Sequence, residues 1–255
     1  MAVEALTPRP SPAKEAPPGR AWWIEPALTV VSYSAFVIYA TWSVFDQVNV
    51  VFYPYVSPFF STWLGFGLIR IPIIGILLPI LAVIPLGLRG SCYYYRKSYF
   101  RSFFWDPPAC AIQELKRGKY RGETRFPWVL NNYHRYFLVL SLVVLVFLWA
   151  DVVRAFIDHG SFFIGLGSVF MLVNVVLLSL YTLTCHSFRY LMGGRLDAFS
   201  RVRFGTLWHR VLTLLNLANP RHGVYAWVSM FSVALTDVYI RLLMAGVIHE
   251  PRWIG

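Results

Sequence analysis

The 255-residue chain is 57% hydrophobic and only 14% charged, against roughly 45–50% apolar residues in a soluble domain, so lipid is its expected solvent and a water-soluble globule is excluded. Its formal net charge of +11 would suit nucleic acid, yet the basic residues are sorted by side of the membrane, which makes the charge a topological signal and points to no nucleic-acid partner. Three cysteines, an odd number, with no cleavage pattern ahead of the first apolar run, argue against a disulfide-stapled secreted scaffold.

Residues 1–26 are rich in Pro, Ala and charge and are expected to form a disordered or extended cytoplasmic arm. Pro26 then opens the first of five apolar runs, 27–45, 71–88, 136–156, 162–185 and 224–248, each near the ~20 residues that cross the hydrocarbon core. The second carries Pro72, Pro79 and Pro85, which predicts a kinked, irregular helix. The fold class expected is therefore an all-α integral membrane protein. Residues 27–255 would form a bundle of five transmembrane helices, with long connections at 89–135 and 187–223.

Lysines and arginines number three in the arm, ten from Arg89 to Arg135 and six from Arg189 to Arg221, leaving only Arg70, Arg154, Arg241 and Arg252. By the positive-inside rule the amino terminus and both long connections are cytoplasmic and the carboxyl terminus lies outside. The basic connections suit a soluble partner, although topology and contact with anionic lipid account for much of the charge. Two charged pairs fall inside the spans, Asp151 with Arg154 and Asp237 with Arg241, at spacings that share a helix face. They serve either as structural ties or as a proton or substrate path.

This topology gathers Cys92, Cys110, His134, Cys185 and His186 near the cytoplasmic face, while His159 and His249 fall outside and His209 and His222 lie in the polar 187–223 connection. Thiolates and imidazoles together are the donors of zinc, copper or iron sites, and two of each is the donor set of a Rieske-type [2Fe-2S] centre. No single spacing here is a metal signature, and an isolated Cys at a helix end is more often a small buried hydrophobe. Adjacent helical residues diverge by about 100°, so Cys185 and His186 are not expected both to address one cluster unless the helix has already ended; His186 is preferred, with Cys185 in reserve. The Pro107–Pro108 pair would present Cys110 from an extended turn. The aromatic and basic run from Cys92 to Trp105 fits an interfacial anchor, or the lining of a quinone site.

The strings CYYYRKSYFRSFFWDPPACA from Cys92, GETRFPWVLNNYHRYF from Gly122, CHSFRYLMGGRLD from Cys185, SVALTDVYIRLL from Ser232 and YPYVSPFFS from Tyr53 resemble the single five-helix membrane anchor of succinate dehydrogenases (complex II) of the mycobacterial type. The resemblance covers nearly the whole chain after the arm. It implies a multi-pass subunit of the cell inner (cytoplasmic) membrane in a respiratory-chain and tricarboxylic-acid-cycle complex, with flavoprotein and iron-sulfur subunits as partners. It further implies an anchor without haem, holding a Rieske-type [2Fe-2S] cluster between the iron-sulfur subunit and a quinone, menaquinone first among them. Carried onto this chain, the preferred metal ligands are Cys92, Cys110, His134 and His186, with Cys185 in reserve. Arg96, Tyr133 and Arg189 would bind quinone or orient the ligands, and no catalytic residue or independent activity is expected. Two alternatives stay open: a complex II anchor whose histidines hold haem b, and a membrane transporter or scaffold without redox chemistry.

Overall fold

The computed structural model describes residues 23–46, 50–61, 84–104, 128–158 and 160–254. The expected arm as far as residue 22, most of the span at 71–88, and Cys110 lie outside the described residues. Eight helices carry the described fold: α1 Ile24–Phe45, α2 84–91, α3 Tyr93–Phe104, α4 His134–Arg154, α5 Leu166–Leu183, the short α6 His186–Arg189, α7 Gly205–Ala218 and α8 His222–Met244. Four helical stretches among the described residues, Ile24–Phe45, His134–Arg154, Leu166–Leu183 and Gly205–Met244, are long and apolar enough to cross a membrane.

Many large apolar side chains face outward, and several polar ones are buried. Leu28, Val31, Ile38, Val146, Leu235 and Val247 are exposed, whereas Ser43, Arg89, Asp151, Asn174, Thr236 and Asp237 are buried. Lipid imposes this pattern, since apolar side chains lose nothing facing it and polar ones must find partners inside the bundle.

The spans depart from expectation at their ends. The first helix begins at Ile24, because Pro26 sits in its first turn where no intrahelical N–H bond is needed. The fourth begins at Leu166, not at residue 162, because the preceding stretch is extended: β3 Ile157–Asp158 pairs with β4 Ser161–Phe162 around Gly160, whose φ of +86° suits glycine, and β5 Ile164–Gly165 pairs with β6 Arg252–Ile254. An antiparallel hairpin, β1 Val51–Phe52 with β2 Tyr55–Val56, follows α1 at this same end. The all-α expectation thus holds for the spans, while their links at one end are short strand pairs.

The 187–223 connection, expected as a polar link, contains α7. Its Trp208, Val211, Leu212 and Leu215 are half-buried and its Thr206, His209, Thr213 and Asn216 are exposed. Only the 3₁₀ turn Asn219–Arg221, with Pro220, separates it from α8. The run Gly205–Met244 counts 40 residues, about 60 Å if straight and twice what ~30 Å of hydrocarbon needs, so its first part lies beyond the apolar core.

Two buried clusters stack along the bundle. One, built around Cys92, Tyr95, Leu138, Tyr181, Cys185 and Met230, occupies the end where α2, α5 and α6 meet the starts of α4 and α8. The other, around Tyr55, Leu148, Phe163, Val175 and Ile240, occupies the opposite end. Ser61 donates to Asp151 near that opposite end, whereas Cys92 follows α2 at the first.

The charged pairs are tied into the far end. Asp237 is fully buried and accepts from Ser43 Oγ at 2.9 Å, Arg241 Nε at 2.9 Å and the hydroxyls of Tyr39 and Ser57. Arg241 also reaches Asp46 at 2.6 Å, joining α1 to α8. Asp151 and Arg154 stand 3.8 Å apart, with the arginine largely exposed.

Candidate metal centre

Two chain breaks with the same local design bring the cysteines to one place. Cys92 separates α2 from α3, and its carbonyl accepts the first bond of α3, from the Arg96 N–H at 2.8 Å. Cys185 caps α6 in an extended conformation, and its carbonyl accepts from the Arg189 N–H at 2.9 Å. A hydroxyl residue precedes each cysteine and bonds back one helical turn: Ser91 Oγ donates to the Gly87 carbonyl and Thr184 Oγ1 to the Leu180 carbonyl, both at 2.6 Å. Side-chain bonding to the carbonyl four residues back is typical of Ser and Thr in apolar helices.

Two histidines enter from the first residues of α4 and α8. His134 Nε2 lies 3.0 Å from Cys185 Sγ, and its Nδ1 lies 3.0 Å from Ser91 Oγ. His222 Nε2 lies 3.7 Å from Cys92 Sγ, and its Nδ1 lies 2.9 Å from Thr184 Oγ1. The His222 ring stacks on Tyr181 with centroids 5.2 Å apart and meets Tyr94 edge-on. Gly223 permits that approach, since a Cβ there would stand 2.5 Å from the Tyr94 ring.

The four side chains line one cavity of about 670 Å³, together with Arg96, His186 and Asn219 among others. Burial, and then the neighbouring Cys92, push the Cys185 thiol up to about 11, so without a metal it is a neutral thiol at physiological pH. Just beneath, Arg89 is buried, donating to Tyr95 Oη at 2.8 Å and to Ala226 O and Ser229 Oγ at 3.1 Å, with its guanidinium over the Tyr181 ring.

Of the ligands expected from sequence, Cys92 and His134 are in the centre, and Cys185, held in reserve, is there with them. His186 is exposed at the cavity lining, one residue past the break, and Cys110 lies outside the described residues. His222, assigned from sequence to the polar connection, is instead 8% exposed and faces Cys92. Its signal was position: it opens the last span just after Pro220, as His134 opens the third. Arg96 lines the cavity with its guanidinium 4.8 Å from the Tyr93 ring centroid, Arg189 bonds Asn219 Oδ1 at 3.4 Å, and Tyr133 is exposed at the start of α4.

Among the described residues no three of His, Cys, Asp and Glu are grouped to hold one metal ion. The donors stand instead as two Cys–His pairs. Two thiols and two imidazoles around one cavity are the donor types of a Rieske-type [2Fe-2S] cluster.

The sequence matches the family described as actinobacterial succinate dehydrogenase subunit SdhC over residues 24–246. Among solved structures, a chain of the Mycobacterium smegmatis Sdh1 complex in the apo form is 37% identical, with a TM-score of 0.78 and 100% of each chain covered. No curated protein matches. With both metal-donor strings and all four described spans inside the matched region, the chain belongs to the actinobacterial SdhC family, the membrane-anchor subunits of succinate dehydrogenase.

Proposed function

We propose that this anchor passes electrons from the iron-sulfur subunit of succinate dehydrogenase to a membrane quinone through a Rieske-type [2Fe-2S] cluster held by Cys92, Cys185, His134 and His222. The observation that carries the reading is the closure of two Cys–His pairs, from four separate chain segments, on one cavity at one end of the bundle. That end bears the basic 187–223 connection and is assigned to the cytoplasmic face of the inner membrane, where the flavoprotein and iron-sulfur subunits dock. Bound there, a Rieske-type cluster would supply one-electron transfer at a potential above that of all-thiolate clusters.

The chain's own residues set the conditions. Cys92 and Cys185 must each give up a proton to ligate, so loading the site releases protons. Buried Arg89, one helical turn before Cys92, places a fixed positive charge beneath the site and favours the added electron. Arg96, on the cavity lining, is assigned to a quinone carbonyl, with menaquinone the first to test; Arg189 braces Asn219, which in turn donates to the Thr184 carbonyl at 2.8 Å.

The experiment is paired optical and low-temperature EPR spectroscopy of the complex purified through this chain, in wild type and in His134→Ala, His222→Ala, His186→Ala and Cys110→Ser. A Rieske-type signal lost with the first two substitutions and kept with the last two is expected. A reduced haem b band lost with His134→Ala and His222→Ala would replace the cluster by a di-histidine haem, and neither signal would leave a scaffold.

A further inference from the structure

The two cysteines and two histidines are connected through the hydroxyl residues that precede the cysteines, and the connections cross. Ser91, next to Cys92, holds His134, whose other nitrogen faces Cys185. Thr184, next to Cys185, holds His222, whose other nitrogen faces Cys92. The result is a closed ring of two hydroxyls, two imidazoles and two thiols drawn from four chain segments.

Hydrogen-bond directions in this ring are fixed at the hydroxyls. A hydroxyl has one hydrogen, and those of Ser91 and Thr184 are directed to the carbonyls of Gly87 and Leu180 at 2.6 Å. Each oxygen can therefore only accept from its histidine, which requires a hydrogen on Nδ1 of both rings. A neutral imidazole protonated at Nδ1 has its lone pair at Nε2, the atom aimed at sulfur in both pairs. Each thiol hydrogen then points at an Nε2 lone pair, so every donor in the ring is used once.

We infer that Ser91 and Thr184 are positioning residues that hold His134 and His222 as Nδ1–H tautomers, presenting both Nε2 atoms as the metal-ligating nitrogens. This rests on the cluster reading above for its consequence, while the tautomers follow from the hydroxyl geometry alone. His186 has no such holder described, which separates it from His222 although both line the cavity. Partners that orient ligating histidines typically change metal affinity about 10- to 100-fold when removed.

The test uses the whole complex made with histidine carrying ¹⁵N at either the δ or the ε position. Pulsed EPR of the reduced wild type should show strong coupling to ε-labelled and weak coupling to δ-labelled nitrogen. Ser91→Ala and Thr184→Ala should each weaken retention of this cluster about 10- to 100-fold, read as loss of its own EPR signal per complex under chelator challenge because the iron-sulfur subunit keeps its iron, and shift the midpoint potential of what remains, with Ser91→Thr and Thr184→Ser restoring both. Strong coupling to the δ nitrogen, or alanine variants with wild-type cluster retention, spectrum and potential, would overturn the inference. If no two-iron signal exists, the proposed function fails by itself. Solid-state ¹⁵N NMR of the same labelled complexes then decides the tautomers, with protonated δ and bare ε nitrogens at His134 and His222 supporting them and the reverse refuting them.

Discussion

Replacing Arg241 by Met isolates the charge network at the end of the bundle opposite the candidate metal centre. Arg241 Nε lies 2.9 Å from Asp237 Oδ2, and the aspartate side chain is 0% exposed. At an effective dielectric of about 20 the attraction at this separation is about 6 kcal/mol, and breaking a buried pair from one side costs about 3–5 kcal/mol in practice. The hydroxyls of Tyr39, Ser43 and Ser57 still bond Asp237 in the variant, and Asp46 retains access to water at 29% exposure. The loss should therefore fall at the low end, about 3 kcal/mol, or a melting temperature roughly 6–12 °C lower. The assay is thermal denaturation of the purified complex at one fixed scan rate, because such complexes unfold irreversibly. The double substitution Asp237→Asn, Arg241→Met removes the stranded charge while keeping hydrogen-bonding capacity, and should recover most of the loss. Melting of Arg241→Met within about 2 °C of wild type, or a double variant no more stable than the single, would refute the reasoning. Electron transfer per intact complex should be unchanged in both; its loss at full stability would identify the network as a path for protons or substrate.

Gly223→Ala should force the Tyr94 ring, 2.5 Å from the added Cβ, off its contact with His222, at about 1–3 kcal/mol; iron content should fall while the subunits still copurify, and wild-type iron would count against His222 as a ligand. In the metal-stripped, reduced complex, alkylation of Cys185 followed by peptide mapping reads its ionisation. Burial places the thiol at about 11, above its ordinary range, so the unreactive neutral form dominates at pH 7 and the rate should climb about tenfold per pH unit from 7 to 10. A rate already level by pH 9 would show that the thiol is not raised.

The spans were legible in sequence because lipid constrains length and polarity so tightly. Their ends were less so: the extended links at 157–165 carry Ile, Phe and Gly residues that continue the apolar runs, and backbone pairing, 157–158 with 161–162 and 164–165 with 252–254, distinguishes them. α7 was read as part of a polar link because His209, Arg210, Asn216 and two threonines dilute an apolar face that becomes visible only when the helix is wound. The Asp237–Arg241 pair was found from its four-residue spacing, but its bonds to Ser57 and Asp46 come from partners 180 and 195 residues away.

The candidate metal centre divides in the same way. The sequence by itself placed Cys92, His134, Cys185 and His186 at one end of a membrane bundle, since each lies beside a span boundary and span boundaries alternate between two faces. Which of them meet was decided only by the tertiary structure. His134 and Cys185 are 51 residues apart and Cys92 and His222 130 apart, so no local spacing encodes either pair. Cys185 enters the cavity because the helix breaks at that residue, which removes the 100° divergence that set it against His186. His222 enters because α8 starts two residues before its expected apolar run, turning a residue of the polar connection into the buried first residue of a span.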